Sequence, residues 1–302
     1  MTISTVSTIG FIGLGTMGRA MSANLLKGGF VVRGFDMSAA AREALASAGG
    51  TPADSPAAAA DGAELVIVML PTIVEIDAVL DGDDGVLSRP GDGRLLMNSS
   101  TIGPGDTRAL IDRLAPTGWR FLDVPVGRTA VDAVAGTSLF MAAGDDADKA
   151  AVRPVLEAMG DTIIDCGPAG HGTAVKLANN YLSIVSAVAT AEALRLAESG
   201  GVLPEEAFRV INNTVAHNGH TKLHYPKKVL AGDVEPGFAI DLCHKDLGLA
   251  VAAMEVAGVP SFLGAAASEA YRVARDRGHG ANDWSDMYNV VGGIWKERAE
   301  DE

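Results

Sequence analysis

Basic residues are scarce in this 302-residue chain: 24 Lys and Arg stand against 38 Asp and Glu, a formal net charge of −14. Nucleic acid and anionic membrane surfaces both reward clustered Lys and Arg, so neither is expected as a partner. Cysteine is scarcer still. Cys166 and Cys243 lie far apart and outside any Cys-x-x-Cys spacing. That argues against a disulfide framework and a structural zinc site, and it fits a reducing compartment. Apolar runs of membrane-spanning length are missing: the uncharged stretch 177–191 carries Asn179 and Asn180 and is too short to cross a bilayer. No basic residue precedes Arg19, so the apolar start is not built like a secretory signal. These absences predict a soluble cytoplasmic protein. What is present is ordinary globular composition, 48% hydrophobic and 21% charged, at a length that suggests two domains.

Up to Gly170, short apolar runs alternate with stretches of helical spacing, the rhythm of a doubly wound α/β sheet. Strands are predicted over 9–12, 31–35, 65–70, 95–97, 121–126, 138–142 and 162–164. The run 65–70 is apolar throughout, as a parallel strand covered on both faces requires. Helices are predicted over 17–27, closed by Gly28 and Gly29, and over 39–48, ended by Gly49 and Gly50. Beyond Gly170 the strand signal stops. Helical spacing persists from His171 to about Ser199, longer than a typical helix, and Gly200 and Gly201 end it. A helix over 204–213 follows, then a polar stretch rich in His, Asn and Lys to Phe238, then helices over 246–256 and 263–277. The expected division is 1–169 and 170–302, with the long helix opening the second domain. The charged end, 297–302, is expected to fray.

Gly13-Leu14-Gly15-Thr16-Met17-Gly18 is a Gly-x-Gly-x-x-Gly between a predicted strand and a predicted helix. In that context Gly13 permits the tight turn, Gly15 lets the backbone approach a pyrophosphate, and Gly18 lets helix and strand pack closely. The helix N-terminus then offers free N–H groups and a positive dipole end to phosphates. Asp36 follows about twenty residues on, at the end of the second strand, where an acid accepts both ribose hydroxyls and repels a 2′-phosphate. NADH is therefore expected in preference to NADPH. Arg33 and Arg42 are near, but neither directly follows Asp36. The bland alternatives are a tight structural turn and a solvated strand-end acid.

In the long helix, Lys176, Asn179, Asn180 and Ser183 stand at i, i+3, i+4 and i+7. All four fall within an arc of about 100° on the helical wheel. A polar stripe in a helix of Ala, Val, Leu and Ile is either a solvated face or a site, and the lack of Asp or Glu on it favours a site. Lys is a sensible proton donor for carbonyl reduction, because its ordinary pKa near 10.4 leaves it protonated at neutral pH. Asn beside it can orient substrate hydroxyls without adding charge.

Three blocks resemble the β-hydroxyacid dehydrogenases, which include 3-hydroxyisobutyrate and 6-phosphogluconate dehydrogenases. They are Gly10 through Gly18, the block from Gly172 to Asn180 with Lys176, and Lys245-Asp246-Leu247-Gly248-Leu249-Ala250. The resemblance spans essentially the whole chain. It implies an α/β protein with an N-terminal Rossmann doubly wound sheet and an all-helical C-terminal domain. It further implies Lys176 as general acid/base, cofactor contacts from Thr16, Met17, Leu70 and Thr101, and Lys245 closing over the active site.

One block departs from the family. Where relatives usually carry a Ser-Gly-Gly turn for a substrate carboxylate, this chain has Gly127-Arg128-Thr129. That variant is similar to the 3-sulfolactaldehyde reductase branch, which also carries Asn-Asn-Tyr-x-Ser, here Asn179 to Ser183. The similarity implies that Arg128, Asn179 and Ser183 hold a sulfonate during reduction of 3-sulfolactaldehyde to 2,3-dihydroxypropane-1-sulfonate. A guanidinium suits a permanent anion of three oxygens, although it does not by itself separate sulfonate from carboxylate or phosphate. The alternative for Arg128 is a surface salt bridge with Asp123 or Asp132. Alternatives for the whole chain are succinic semialdehyde reduction to 4-hydroxybutyrate, oxidation of 3-hydroxyisobutyrate, and a non-catalytic dinucleotide-binding scaffold.

Other signals read as bland. His217, His220 and His224 lack a carboxylate in ligand spacing and are assigned to a polar loop without metal. Trp284 and Trp295 are assigned to packing or subunit contacts. An alanine-rich helical second domain suggests a homodimer or homotetramer.

Overall fold

In the computed structural model, residues 6–300 are described, with side chains through residue 294. The chain divides into two compact units, Met1–Lys176 and Leu177–Glu302.

The first unit is built on nine strands: β1 (Thr8–Ile12), β2 (Val31–Phe35), β3 (Thr51–Pro52), β4 (Leu65–Val68), β5 (Leu95–Asn98), β6 (Arg120–Asp123), β7 (Val126–Gly127), β8 (Ser138–Ala143) and β9 (Gly160–Gly167). The first six are parallel in the order β3-β2-β1-β4-β5-β6, the doubly wound order whose topological switch lies between β1 and β4. The remaining three extend the sheet, β8 running antiparallel to β6 and β7 while β9 runs parallel to β8. The expected single strand over 121–126 is two strands. Pro125 has no N–H for a ladder, and the chain turns there so that β7 pairs with β8.

Apolar residues alternate across the sheet and both faces are covered. Leu65, Ile67, Leu95 and Met97 pack with Phe11, Met21 and Phe140 on one face. Val66, Val68 and Leu96 pack with Ile76, Leu110 and Trp119 on the other. Each such side chain contributes roughly 1.5–3 kcal/mol when fully buried. The connecting helices are α1 (Thr16–Lys27), α2 (Ala39–Ser47), α3 (Pro56–Ala60), α4 (Ile73–Leu80), α5 (Pro104–Leu114), α6 (Ala130–Ala135) and α7 (Asp146–Met159).

Helix α8 (His171–Ser199) begins in the first unit and ends in the second. Its first turn is bound to the sheet: a Cβ on Gly172 would meet the Asp123 and Met141 carbonyl oxygens at 2.7 and 2.8 Å. The two compact units meet after Lys176, within this helix.

The second unit comprises the rest of α8, then α9 (Pro204–Ile211), a π turn at His220–His224 leading into α10 (Tyr225–Lys227), α11 (Ile240–Val256), α12 (Phe262–Asp276) and α13 (Met287–Glu300). Ile184, Val188, Ala191 and Leu194 of α8 bury the same helical stripe against Phe208, Tyr225, Ile240 and Tyr271. Helix α11 starts six residues before the expected 246. Its stripe of Ile240, Cys243, Leu247 and Ala250 keeps helical spacing through a segment that looks polar by composition. The side chains of Trp295 and of 297–302 lie outside the described residues. Among the described residues, no helix is long and apolar enough to cross a membrane.

Candidate active site

The three glycines of the β1–α1 loop are held for different reasons. Gly13 has φ +96°, and a Cβ there would strike the Met69 carbonyl at the end of β4. A Cβ on Gly18 would strike the Gly13 carbonyl, so α1 can sit this close to β1 only with glycine. Gly15 is unlike both. Its φ of −64° suits any residue, and no protein atom lies within 4 Å of where a Cβ would be. Nothing inside the protein demands glycine at 15. The open space beside it, at the α1 N-terminus and the sheet's switch point, fits a dinucleotide pyrophosphate. Thr16 is exposed and Met17 half-buried on the same turn.

Asp36 fastens this loop. Its Oδ2 accepts the Leu14 N–H at 2.7 Å and its Oδ1 the Ser38 N–H at 2.8 Å. Each oxygen keeps a second lone pair for a ribose hydroxyl. Arg42 donates to the Asp36 and Met37 carbonyls, at 2.5 and 3.2 Å, so its guanidinium is held at the same strand end. Across the switch point, Ser100 Oγ accepts the Leu70 N–H at 2.9 Å, and the Ser100 N–H donates to Asn98 Oδ1 at 3.1 Å. The ends of β4 and β5, which carry Leu70 and Thr101, are thereby tied together.

Lys176 stands half-buried in the second turn of α8. The turn before it is anchored by Asp123, the last residue of β6, which accepts from both the N–H and the hydroxyl of Thr173. Burial pushes the Asp123 carboxyl above its ordinary pKa, and the two Thr173 bonds work against that rise.

In the second unit the polar stripe joins α11. Asn179 Nδ2 donates to Asn180 Oδ1 at 3.2 Å, and buried Asn180 Nδ2 donates to Asp246 Oδ2 at 2.7 Å. The other Asp246 oxygen lies 2.9 Å from Lys245 Nζ. A single buried carboxylate therefore links the two sequence blocks that carry Asn179, Asn180 and Lys245. Ser183 is half-buried, and its carbonyl lies 2.8 Å from His220 Nε2. A carbonyl only accepts, so Nε2 carries the proton and His220 is held as the neutral donor; its burial pushes the pKa down to about 4.

Gly127 is buried in β7, and the Thr129 N–H and hydroxyl both donate to Asp132, at 3.0 and 2.7 Å. Arg128 between them has φ +70°, a left-handed backbone that costs a non-glycine residue roughly 1–2 kcal/mol. Its guanidinium donates to the Thr137 carbonyl, to Asp161 Oδ1 at 2.7 Å and to Thr162 Oγ1 at 3.0 Å. The ion pair of Arg128 is with Asp161 on β9, and neither Asp123 nor Asp132 takes that place: Asp123 faces Thr173 and Asp132 caps α6.

Two buried acids that bond to the candidate segments, Asp123 and Asp246, are not singled out by the sequence pattern. Asp246 left a trace, since with α11 starting at Ile240 it falls on the buried stripe, where an acid needs partners. Asp123 left only its position at the end of an apolar strand. Of the three histidines, His217 bonds the Thr214 carbonyl, while the His220 and His224 rings meet edge-on with centroids 5.8 Å apart; His220 serves Ser183, and His224 lies against Trp284 Nε1 and 3.3 Å from Asp283. Trp284 packs edge-on against His220, His224 and Phe238, in keeping with a packing role.

The sequence model of the NAD binding domain of 6-phosphogluconate dehydrogenase matches residues 8–167. That of the NAD-binding domain of NADP-dependent 3-hydroxyisobutyrate dehydrogenase matches 170–291. The chain is 43% identical to the 3-sulfolactaldehyde reductase of Escherichia coli (strain K12), over 95% of this chain and 96% of that one. It is 34% identical to the NAD-dependent L-serine dehydrogenase of Pseudomonas aeruginosa, over 92% and 95%. Among solved structures, the 3-hydroxyisobutyrate dehydrogenase of Mycobacterium tuberculosis with L-serine superposes with a TM-score of 0.88 at 36% identity, covering 95% of this chain and 99% of that one. A nicotinamide dinucleotide is the cofactor such domains hold, and the open cradle at Gly15 agrees. On whole-length similarity, the doubly wound sheet and the glycine loop together, the chain belongs to the 3-hydroxyisobutyrate dehydrogenase-like family of oxidoreductases acting on alcohol or aldehyde groups, on its 3-sulfolactaldehyde reductase branch.

Proposed function

We propose that this hydroxyacid dehydrogenase interconverts 3-sulfolactaldehyde and 2,3-dihydroxypropane-1-sulfonate with NADH as the preferred cofactor. The observation that carries the proposal is the 43% identity over 95% of the chain to an enzyme of that name. The left-handed Arg128, in a turn where a glycine would be unstrained, supports it: a residue kept at a conformational cost is a candidate for function.

When bound, a nicotinamide cofactor supplies or accepts the hydride. The residues of this chain do the rest. Lys176 gives a proton to the carbonyl oxygen during reduction and removes it during oxidation. Asn179 and Asn180, tied through Asp246 to Lys245, orient the substrate hydroxyls. Gly127, Arg128, Thr129, Asn179 and Ser183 receive the sulfonate, with the guanidinium supplying the positive charge. Asp36 selects NADH by accepting the ribose hydroxyls and repelling a 2′-phosphate.

A carboxylate substrate is the second reading. The observation in its favour is that Arg128 is already engaged by Asp161 and Thr162, so a sulfonate must share or displace those partners. Comparing kcat/KM for 3-sulfolactaldehyde and succinic semialdehyde with NADH, and for 3-hydroxyisobutyrate and L-serine with NAD, decides between them. A clear preference for the sulfonate is expected; a preference for any carboxylate overturns the proposal.

A further inference from the structure

Asp123 is fully buried, 0% exposed, and its carboxylate is met mainly by hydrogen-bond donors. Both of its carboxylate oxygens accept from Thr173, and the Gly170 backbone adds a further bond. Oδ2 accepts the Thr173 N–H at 2.7 Å and Oδ1 accepts the Thr173 hydroxyl at 2.9 Å. Thr173, itself 2% exposed, lies in the first turn of α8, where backbone N–H groups have no helical acceptor of their own. The Thr173 Oγ1 is also 3.0 Å from Thr107 Oγ1 of α5. With the Thr173 proton on Asp123, the single Thr107 hydroxyl proton lies between Thr173 Oγ1 and the Gly103 carbonyl at 3.2 Å. The start of α8 is thus gripped from two elements, β6 and α5, by groups that are all buried.

A carboxylate suits this grip better than its amide. It offers an acceptor to each of two convergent donors and places negative charge at the positive end of a 29-residue helix. An amide would accept only one and turn an NH2 group toward the other. Lys176 follows Thr173 by three residues, about 4.5 Å along the helix axis. We infer that Asp123 is a positioning residue for Lys176: through Thr173 it fixes the rotation and height of the first turn of α8, and with it the point from which Lys176 delivers a proton. The inference rests on Lys176 being the general acid/base. Displacements of about 1 Å can cost on the order of 10²-fold in rate.

Four variants of the full chain test it, each assayed for kcat and KM on the best aldehyde substrate and for NADH affinity by fluorescence. Asp123→Asn is expected to lower kcat about 10- to 100-fold while KM and the NADH Kd stay within about twofold. Thr173→Val removes the hydroxyl but keeps the N–H bond, and a loss of several-fold in kcat alone is expected. Thr173→Ser, which restores both donors, should recover most of that loss. Lys176→Ala provides the reference. If Asp123→Asn does not fold, the Thr173 pair decides. Wild-type kcat in Thr173→Val, or a loss that falls equally on KM and NADH affinity, overturns the positioning role. Wild-type kcat in Lys176→Ala instead overturns the assignment of Lys176 and leaves the cause identified.

Discussion

Replacing Gly15 by alanine should separate cofactor binding from stability. The backbone at Gly15 suits alanine, and the new Cβ would have no protein atom within 4 Å. Restricting the unfolded chain stabilises by about 0.4–1 kcal/mol. Alanine is a poorer N-cap than glycine by up to about 1 kcal/mol, so the two effects nearly cancel. The apo protein should melt within about 2 °C of wild type. The cofactor meets a different situation, because the Cβ stands in the space through which the pyrophosphate approaches the α1 N–H groups. Losing one charge-assisted hydrogen bond costs about 1.5–3 kcal/mol, roughly 10- to 150-fold in NADH affinity. Gly18→Ala is the contrasting control. Its Cβ would be driven onto the Gly13 carbonyl and to 3.1 Å from the Phe11 ring. Overpacking of that kind costs about 1–3 kcal/mol, a fall of some 2–10 °C. NADH fluorescence titration and thermal melting of the apo proteins read both effects. NADH affinity within twofold of wild type in Gly15→Ala, or an apo melting loss equal to that of Gly18→Ala, would refute the role of the open space.

Asp36→Ala should weaken NADH and narrow the NADH/NADPH ratio; because Asp36 also accepts from Leu14 and Ser38, the apo protein should lose about 1–2 kcal/mol in denaturant melts. An unchanged ratio would mean that the acid only fastens the loop. Arg128→Gly keeps the left-handed backbone without strain, so it isolates the guanidinium: KM for the sulfonate substrate should rise about 10-fold or more, with little effect on an uncharged aldehyde. Lys176→Ala should instead lower kcat about 10²- to 10⁴-fold for every substrate, and steady-state kinetics on charged and uncharged aldehydes distinguish the two. His220, with its pKa near 4 in the folded state, binds fewer protons than in the unfolded chain, where the value is 6.5. Stability should therefore fall as pH drops from 6.5 to 4, by about 3 kcal/mol in all from this group, and His220→Gln should flatten that part of a pH series of denaturant melts.

Features legible in the sequence are those whose cause is local. The phosphate loop is read from six consecutive residues, because turn, close approach and helix start all occur within them. Strand β4 and the first three residues of β5 are read from unbroken apolar runs, as expected of parallel strands covered on both faces. The long helix is read from its period. Pro125 is a local signal too, yet the strand break it causes was missed, since the apolar pattern continues through it on both sides.

The buried acids are a different case. Asp123 and Thr173 are 50 residues apart, and Asn180 and Asp246 are 66 apart. Nothing in the composition around either acid distinguishes it from the other 36 acidic residues, most of which face solvent. What marks them is burial, and burial is a property of the fold. A carboxylate removed from water must be matched by donors, and once the sheet brings Asp123 under the first turn of α8 those donors are the N–H and hydroxyl of Thr173. For Asp246, one oxygen accepts from Asn180 and the other stands in an ion pair with Lys245. The residues chosen from sequence as chemistry, Lys176, Asn179 and Lys245, are thus held by residues that sequence reads as ordinary. Arg128 shows the converse. Its residue type suggests an anion site, but its left-handed backbone and its engagement with Asp161 follow from the chain's path between β7 and α6, which no spacing rule encodes. In this chain residue type identifies the groups able to do chemistry, and the buried partners determine where those groups stand.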